Sequence, residues 1–185
     1  MSSVAERLFV KPVEYKRFSG EERELEREKM YEVYIKSSKE IWIVAGELDG
    51  DFYNETFANI ISQKLKESPN YKVNMLFSKD ENLDYEGKIK KTYEENEQLC
   101  KLLKYEAFGD RFSMYLSEKR PENHFGIVDN CILIEKIHNQ GEPRDVLLVD
   151  NYKTLVEKYK KYFMKLTVES HIKRLTFSDF QKFAA

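Results

Sequence analysis

"EIWIVAGELDGDFYNETFANIISQKLKESPNYKVNMLF", residues 40–77, carries the pattern that decides the fold. Its opening, EIWIVAG (40–46), is a continuous apolar run rich in β-branched residues and closed by glycine, which suits a strand buried on both faces and followed by a turn. NETFANIISQKLKES then offers Asn54 as an N-cap and sets Phe57, Ile60, Ile61 and Leu65 along one helical stripe. YKVNMLF (71–77) alternates and is aliphatic, so it reads as a second strand. A strand, a helix and a strand in that order make a βαβ unit, with the two strands parallel and the crossover right-handed.

Working outward, FSGEERELEREKMYEVYIKSS has Ser19 as N-cap with Glu22 three residues on, a capping box, and then Leu25, Lys29 or Met30, Val33 and Tyr34 at helical spacing. A helix over 20–38 is predicted. Downstream, 78–110 settles into a helix through Ile89, Tyr93, Leu99 or Cys100 and Leu103, followed by a short strand, RFSMYLSE (111–118). HFGIVD and CILIEKI are separated only by Asn130, which tolerates positive φ and so predicts a hairpin corner there. DVLLVD (145–150) is a further strand, and NYKTLVEKYKKYFMKL puts Leu155, Tyr159, Tyr162, Phe163 and Leu166 on one helix face. Three regions are therefore expected: an N-terminal tail (1–19), an α/β domain (20–168) and a C-terminal helical arm (169–185) that docks through Phe177, Phe180 and Phe183.

The chain's 185 residues, 41% of them hydrophobic, are enough for one compact domain, and seven glycines and four prolines leave little room for long linkers. Thirty-one Lys and Arg nearly balance 33 Asp and Glu, so a net charge of −2 makes no global case for nucleic acid or acidic membranes. Abundant Lys and Glu fit heat adaptation. Two cysteines without CxxC spacing, no apolar run near the roughly 20 residues a membrane span needs, and no basic-then-apolar leader pattern point to a reducing cytoplasm. Twelve Tyr and twelve Phe read first as core and interface packing.

The sequence contains no P-loop, GxGxxG, HExxH, GxSxG or paired-Cys motif, and no metal or cofactor is expected. The histidines are His124, His138 and His171. His171, beside Lys173 and Arg174, reads as a surface residue. His124 and His138 flank the hairpin, and Arg120, Glu122, Asn123, Asp129, Glu135 and Lys136 lie near them at strand ends. An open α/β sheet binds ligands beyond the carboxyl ends of its strands, which makes this cluster the candidate site. The candidate catalytic residues are His124, His138, Asp129 and Glu135, and the candidate ligand-binding residues are Arg120, Asn123 and Lys136.

The order of features, with RPENHFGIVDNCILIEKIHNQGEPRDVLLVDNYKTLVEKYKKYFMKL following the βαβ unit, resembles the phospholipase D-like superfamily, in particular its small single-repeat members. The resemblance covers roughly residues 25 to 166. It implies a mixed β-sheet flanked by helices, with a strand reading H-x-K-x-x-x-x-D and a hairpin partner reading G-S-x-N. Laid on that pattern, Asp129 matches the aspartate, while His124 falls on the lysine and Glu122 on the nucleophilic histidine. Glu135, Lys136 and His138 fall on the glycine, serine and asparagine. The superfamily forms a phosphohistidine between two half-sites that meet across a repeat or a dimer interface. A chain lacking the nucleophile and the lysine is thus expected to be a catalytically degenerate binding or regulatory module, a homodimer that retains the old cleft for a phosphate-containing ligand or nucleic acid. The alternatives are a phosphodiesterase or nuclease using His124 and His138, and a nucleic-acid-binding protein using Lys158, Lys160, Lys161 and Lys165.

Overall fold

The computed structural model describes residues 14–18, 23–48, 50–78, 82–136, 145–150 and 152–184. Among them, eight strands form one mixed sheet: β1 (Glu14–Phe18), β2 (Glu40–Ala45), β3 (Lys72–Phe77), β4 (Phe112–Ser117), β5 (His124–Val128), β6 (Cys131–Lys136), β7 (Asp145–Asp150) and β8 (Ile172–Arg174). Their spatial order is β1-β7-β6-β5-β2-β3-β4-β8. The expected βαβ unit is present: β2 and β3 pair in parallel with Ile41 opposite Val73, and β4 continues the parallel set. From β2 outward the sheet turns antiparallel, through β5, β6, β7 and β1.

Among the described residues, five α-helices pack with the sheet: α1 (Arg23–Lys36), α2 (Glu55–Glu67), α3 (Tyr85–Lys101), α4 (Lys153–Leu166) and α5 (Phe177–Phe180). Alternate strand residues serve two cores. Ile41, Ile43, Val73, Met75 and Leu133 pack with Met30 and Tyr34 of α1, Phe57, Ile61 and Leu65 of α2, and Phe180 of α5. Val44, Leu76, Phe125, Ile127 and Ile132 face the other way, onto Val156 and Phe163 of α4. This two-sided burial explains the unbroken apolar run at 40–46. Asn54 caps α2 as expected, its Oδ1 accepting from the Thr56 and Phe57 amides at 2.9 and 3.2 Å. At the far end of α2, the Arg111 guanidinium donates to the carbonyls of Leu65 (2.8 Å) and Ser68 (2.9 Å). No helix among the described residues is long and apolar enough to cross a membrane.

Several local expectations change. Glu14–Phe18, within the expected tail, forms an edge strand on β7, and Ile172–Arg174, within the expected arm, forms the opposite edge on β4. Edge strands pair on one side only and favour charged residues, so EYKRF and IKR carry no apolar alternation to read. Leu25, placed on the inward stripe of α1, is 46% exposed, whereas Met30 and Tyr34 are buried. The positive φ of the hairpin corner lies at Asp129 (54°) and not at Asn130. Ser19 and Glu22, the expected capping box, lie outside the described residues. The terminal aromatics dock on the chain's own α3, with the Phe180 and Tyr93 ring centroids 5.9 Å apart.

Candidate functional site

Because β5 runs antiparallel to β2, its first residue, His124, arrives at the carboxyl end of β2, where the chain turns at Gly46. The antiparallel register with β6 sets His124 directly opposite Glu135, so the two side chains share one face. His124 Nδ1 lies 3.1 Å from Glu135 Oε2, and a carboxylate there makes Nδ1 the protonated, donating nitrogen. The ring is 3% exposed, and its Nε2 has no hydrogen-bond partner among the described residues. A buried polar atom left unsatisfied costs on the order of 1–3 kcal/mol, and such atoms are few in a folded protein.

Gly46 permits this arrangement. A Cβ there would lie 2.6 Å from His124 Cε1, 2.9 Å from His124 Nε2 and 2.8 Å from Arg120 Nε, so imidazole and guanidinium come together over a bare backbone. The carbonyl of the same glycine is held by Ser78, through both its amide (3.2 Å) and its hydroxyl.

His124 and Glu135 line a cavity of about 80 Å³, together with Glu26, Met30 and Tyr34 of α1, Phe52 and Tyr53 of the loop before α2, and residues of β2, β5, β6 and β7. At roughly 10–15 Å³ per water, that volume admits several waters or a small polar group. The 52–54 loop is fixed from two sides: Tyr31 Oη donates to the Phe52 carbonyl (2.8 Å) and Asn96 Nδ2 to the Tyr53 carbonyl (3.3 Å). Burial holds the Tyr53 phenol far above its ordinary pKa, and the charges of Glu135 and Glu26 push it further, which keeps it a neutral hydroxyl.

Of the candidate residues, the structure brings together His124, Glu135 and Arg120. Asn123 points elsewhere, its Nδ2 donating to Tyr162 Oη of α4 at 3.4 Å. Asp129 stands at the opposite end of β5, where its carboxylate accepts from the amides of Ser38 (2.8 Å), Lys39 (2.9 Å) and Glu40 (3.0 Å) and from the Ser38 hydroxyl (3.1 Å). Burial pushes that carboxyl upward, but the backbone donors of Ser38, Glu40 and Lys39 outweigh it and hold the pKa below the usual range. Asp129 therefore ties the hairpin corner to the start of β2. His138 and the Lys136 side chain lie outside the described residues. His171 is partly exposed, 3.4 Å from Glu169.

Sequence reasoning missed Gly46, Glu26, Phe52 and Tyr53. Glu26 had a signal, since positions 26, 30 and 34 share a helix face and a carboxylate on the stripe that buries Met30 and Tyr34 is anomalous. Gly46 read only as a turn residue.

Solved structures with this architecture include TrmBL2, an archaeal chromatin protein described as showing a novel mode of DNA binding. It superposes with a TM-score of 0.56 at 15% identity, over 86% of this chain and 53% of that one. The phosphatidylserine synthase of Haemophilus influenzae Rd KW20 gives a TM-score of 0.60 at 13% identity, over 90% of this chain and 41% of that one. The likeness is one of fold. This chain spans about half or less of either structure's length. No protein-family model matches the chain, and no curated protein matches it in sequence.

Proposed function

We propose that this chain is a catalytically degenerate phospholipase D-like domain that acts as a binding or regulatory module and works as a homodimer. The observation that carries the reading is the cavity at the carboxyl end of β2, where a buried imidazole is oriented by Glu135 and its Nε2 has no partner among the described residues. The likeness of fold to a phosphatidylserine synthase supports the choice of superfamily. Chemistry on a phosphodiester is disfavoured by the residues present. Glu122, in the nucleophile's position, is exposed and anionic, and Asp129 is spent on backbone amides.

The test is hydrolysis of bis-p-nitrophenyl phosphate by the wild type and by His124→Ala. Equal background rates agree with the binding role, whereas turnover by the wild type that the substitution abolishes establishes the phosphodiesterase alternative. Light scattering at working concentration tests the dimer, which a monomeric mass would exclude.

A second reading, nucleic-acid binding, is favoured by one feature. Lys158, Lys161 and Lys165 are exposed and follow one another along the solvent face of α4 at helical spacing. Lys160 does not join them, being ion-paired with Glu40 and Glu157. Gel shifts with single- and double-stranded DNA over a salt series test this reading, and absence of binding at low salt eliminates it.

A further inference from the structure

Resting on the binding-module reading, we infer that the ligand of this site is a small α-hydroxycarboxylate, its carboxylate held by Arg120 and its hydroxyl by His124 Nε2.

Two polar groups converge over Gly46. The point where a Cβ would stand on that residue lies 2.8 Å from Arg120 Nε and 2.9 Å from His124 Nε2. Neither group is committed elsewhere: Arg120 makes no hydrogen bond or ion pair among the described residues, and Nε2 is buried without a partner among them. The backbone beneath them does not take up the guanidinium either. Ser78 donates to the Gly46 carbonyl through both its amide and its hydroxyl, which uses both lone pairs of that oxygen.

Each group selects one part of a ligand. A guanidinium fork matches the two oxygens of a carboxylate, and one guanidinium balances one negative charge. Because Arg120 is exposed, the charged end of the ligand stays at the solvent edge and only its uncharged body enters the cavity. His124 Nε2 accepts a hydrogen bond when the ring is neutral and donates one when the ring is protonated. A hydroxyl serves both cases, because it donates and accepts. Glu135 engages the other ring nitrogen, Nδ1, and both it and Glu26 have further interactions in the fold. Arg120 and Nε2 face a single methyl-sized position, so the carboxylate and the hydroxyl must sit on neighbouring carbons. Met30 and Phe52 line the interior, and a volume of about 80 Å³ limits the body to a few carbon atoms.

Titration of the full chain with racemic lactate, propionate, propane-1,2-diol and inorganic phosphate, followed by amide chemical shifts, tests the assignment. Lactate is expected to bind about tenfold or more tightly than propionate, which lacks the hydroxyl, and than propane-1,2-diol, which lacks the charge. Arg120→Gln, at an exposed position, is expected to remove the advantage over the diol. His124→Gln, where circular dichroism shows a folded chain, is expected to remove the advantage over propionate. Propionate or the diol binding as tightly as lactate, or a preference for lactate over the diol that survives Arg120→Gln, overturns the inference. Tighter binding of phosphate overturns the carboxylate class and leaves the module reading in place. Absence of binding by all four overturns both.

Discussion

Gly46→Ala adds a single methyl group at the point where the site is most crowded. The new Cβ would fall within 2.6 Å of His124 Cε1 and 2.9 Å of Nε2, inside the distance at which something must shift. Gly46 does not adopt a left-handed backbone, so the cost is steric and not conformational. Arg120 can move aside because it is exposed, but His124 is buried and pinned by Glu135. Overpacking of this kind costs about 1–3 kcal/mol. Taking about 2 kcal/mol, a domain of this size should lose roughly 4–8 °C in Tm. Thermal and urea unfolding of wild type, Gly46→Ala, His124→Ala and the double variant form a cycle. Removing the ring removes the clash, so the double variant should recover about 1–2 kcal/mol relative to additivity. A strictly additive cycle, or a Gly46→Ala variant as stable as wild type, would refute the close approach of imidazole and backbone.

Three further outcomes are expected. Asp129→Asn keeps a residue tolerant of positive φ but weakens four acceptor bonds, so unfolding should cost about 1–3 kcal/mol less at pH 7, read by urea denaturation. Since the folded pKa of Asp129 is depressed, its stabilisation is present above the unfolded carboxylate range and fades as pH falls below about 4; the wild type and Asp129→Asn should converge in stability there, and a gap that persists unchanged would count against the assignment. Burial, with a smaller contribution from Asp150, pushes the Cys131 thiol up to about 12, and Cys100 is fully buried, so neither should react with iodoacetamide at pH 8 until the chain is unfolded.

The parallel heart of the fold was legible because burial on both faces leaves an unmistakable trace: EIWIVAG and the stripe Phe57, Ile61, Leu65 map onto β2 and α2 with Asn54 at the cap. The two edge strands were not, because pairing on one side demands backbone donors and acceptors and no apolar alternation. The candidate site was legible in part. His124 and Glu135 stand opposite each other because the HFGIVD and CILIEKI hairpin fixes their register, which the sequence implied. That Asp129 belongs to the other end of the strand also follows from the hairpin, once its carboxylate is seen to satisfy the amides of residues 38–40 across some 90 positions of chain. The contributions of Gly46, Glu26, Phe52 and Tyr53 depend on how α1 and the loop before α2 fold over the sheet, and such long-range packing leaves no local pattern to read.

The account rests on His124 as the centre of a ligand cavity, and its imidazole nitrogens report on that directly. In protein labelled with 15N at histidine, Glu135→Gln should move the ring-nitrogen resonances of His124, whose Nδ1 faces that carboxylate, and leave those of His171 unchanged. His124 resonances that are the same in the wild type and in Glu135→Gln would contradict the central claim.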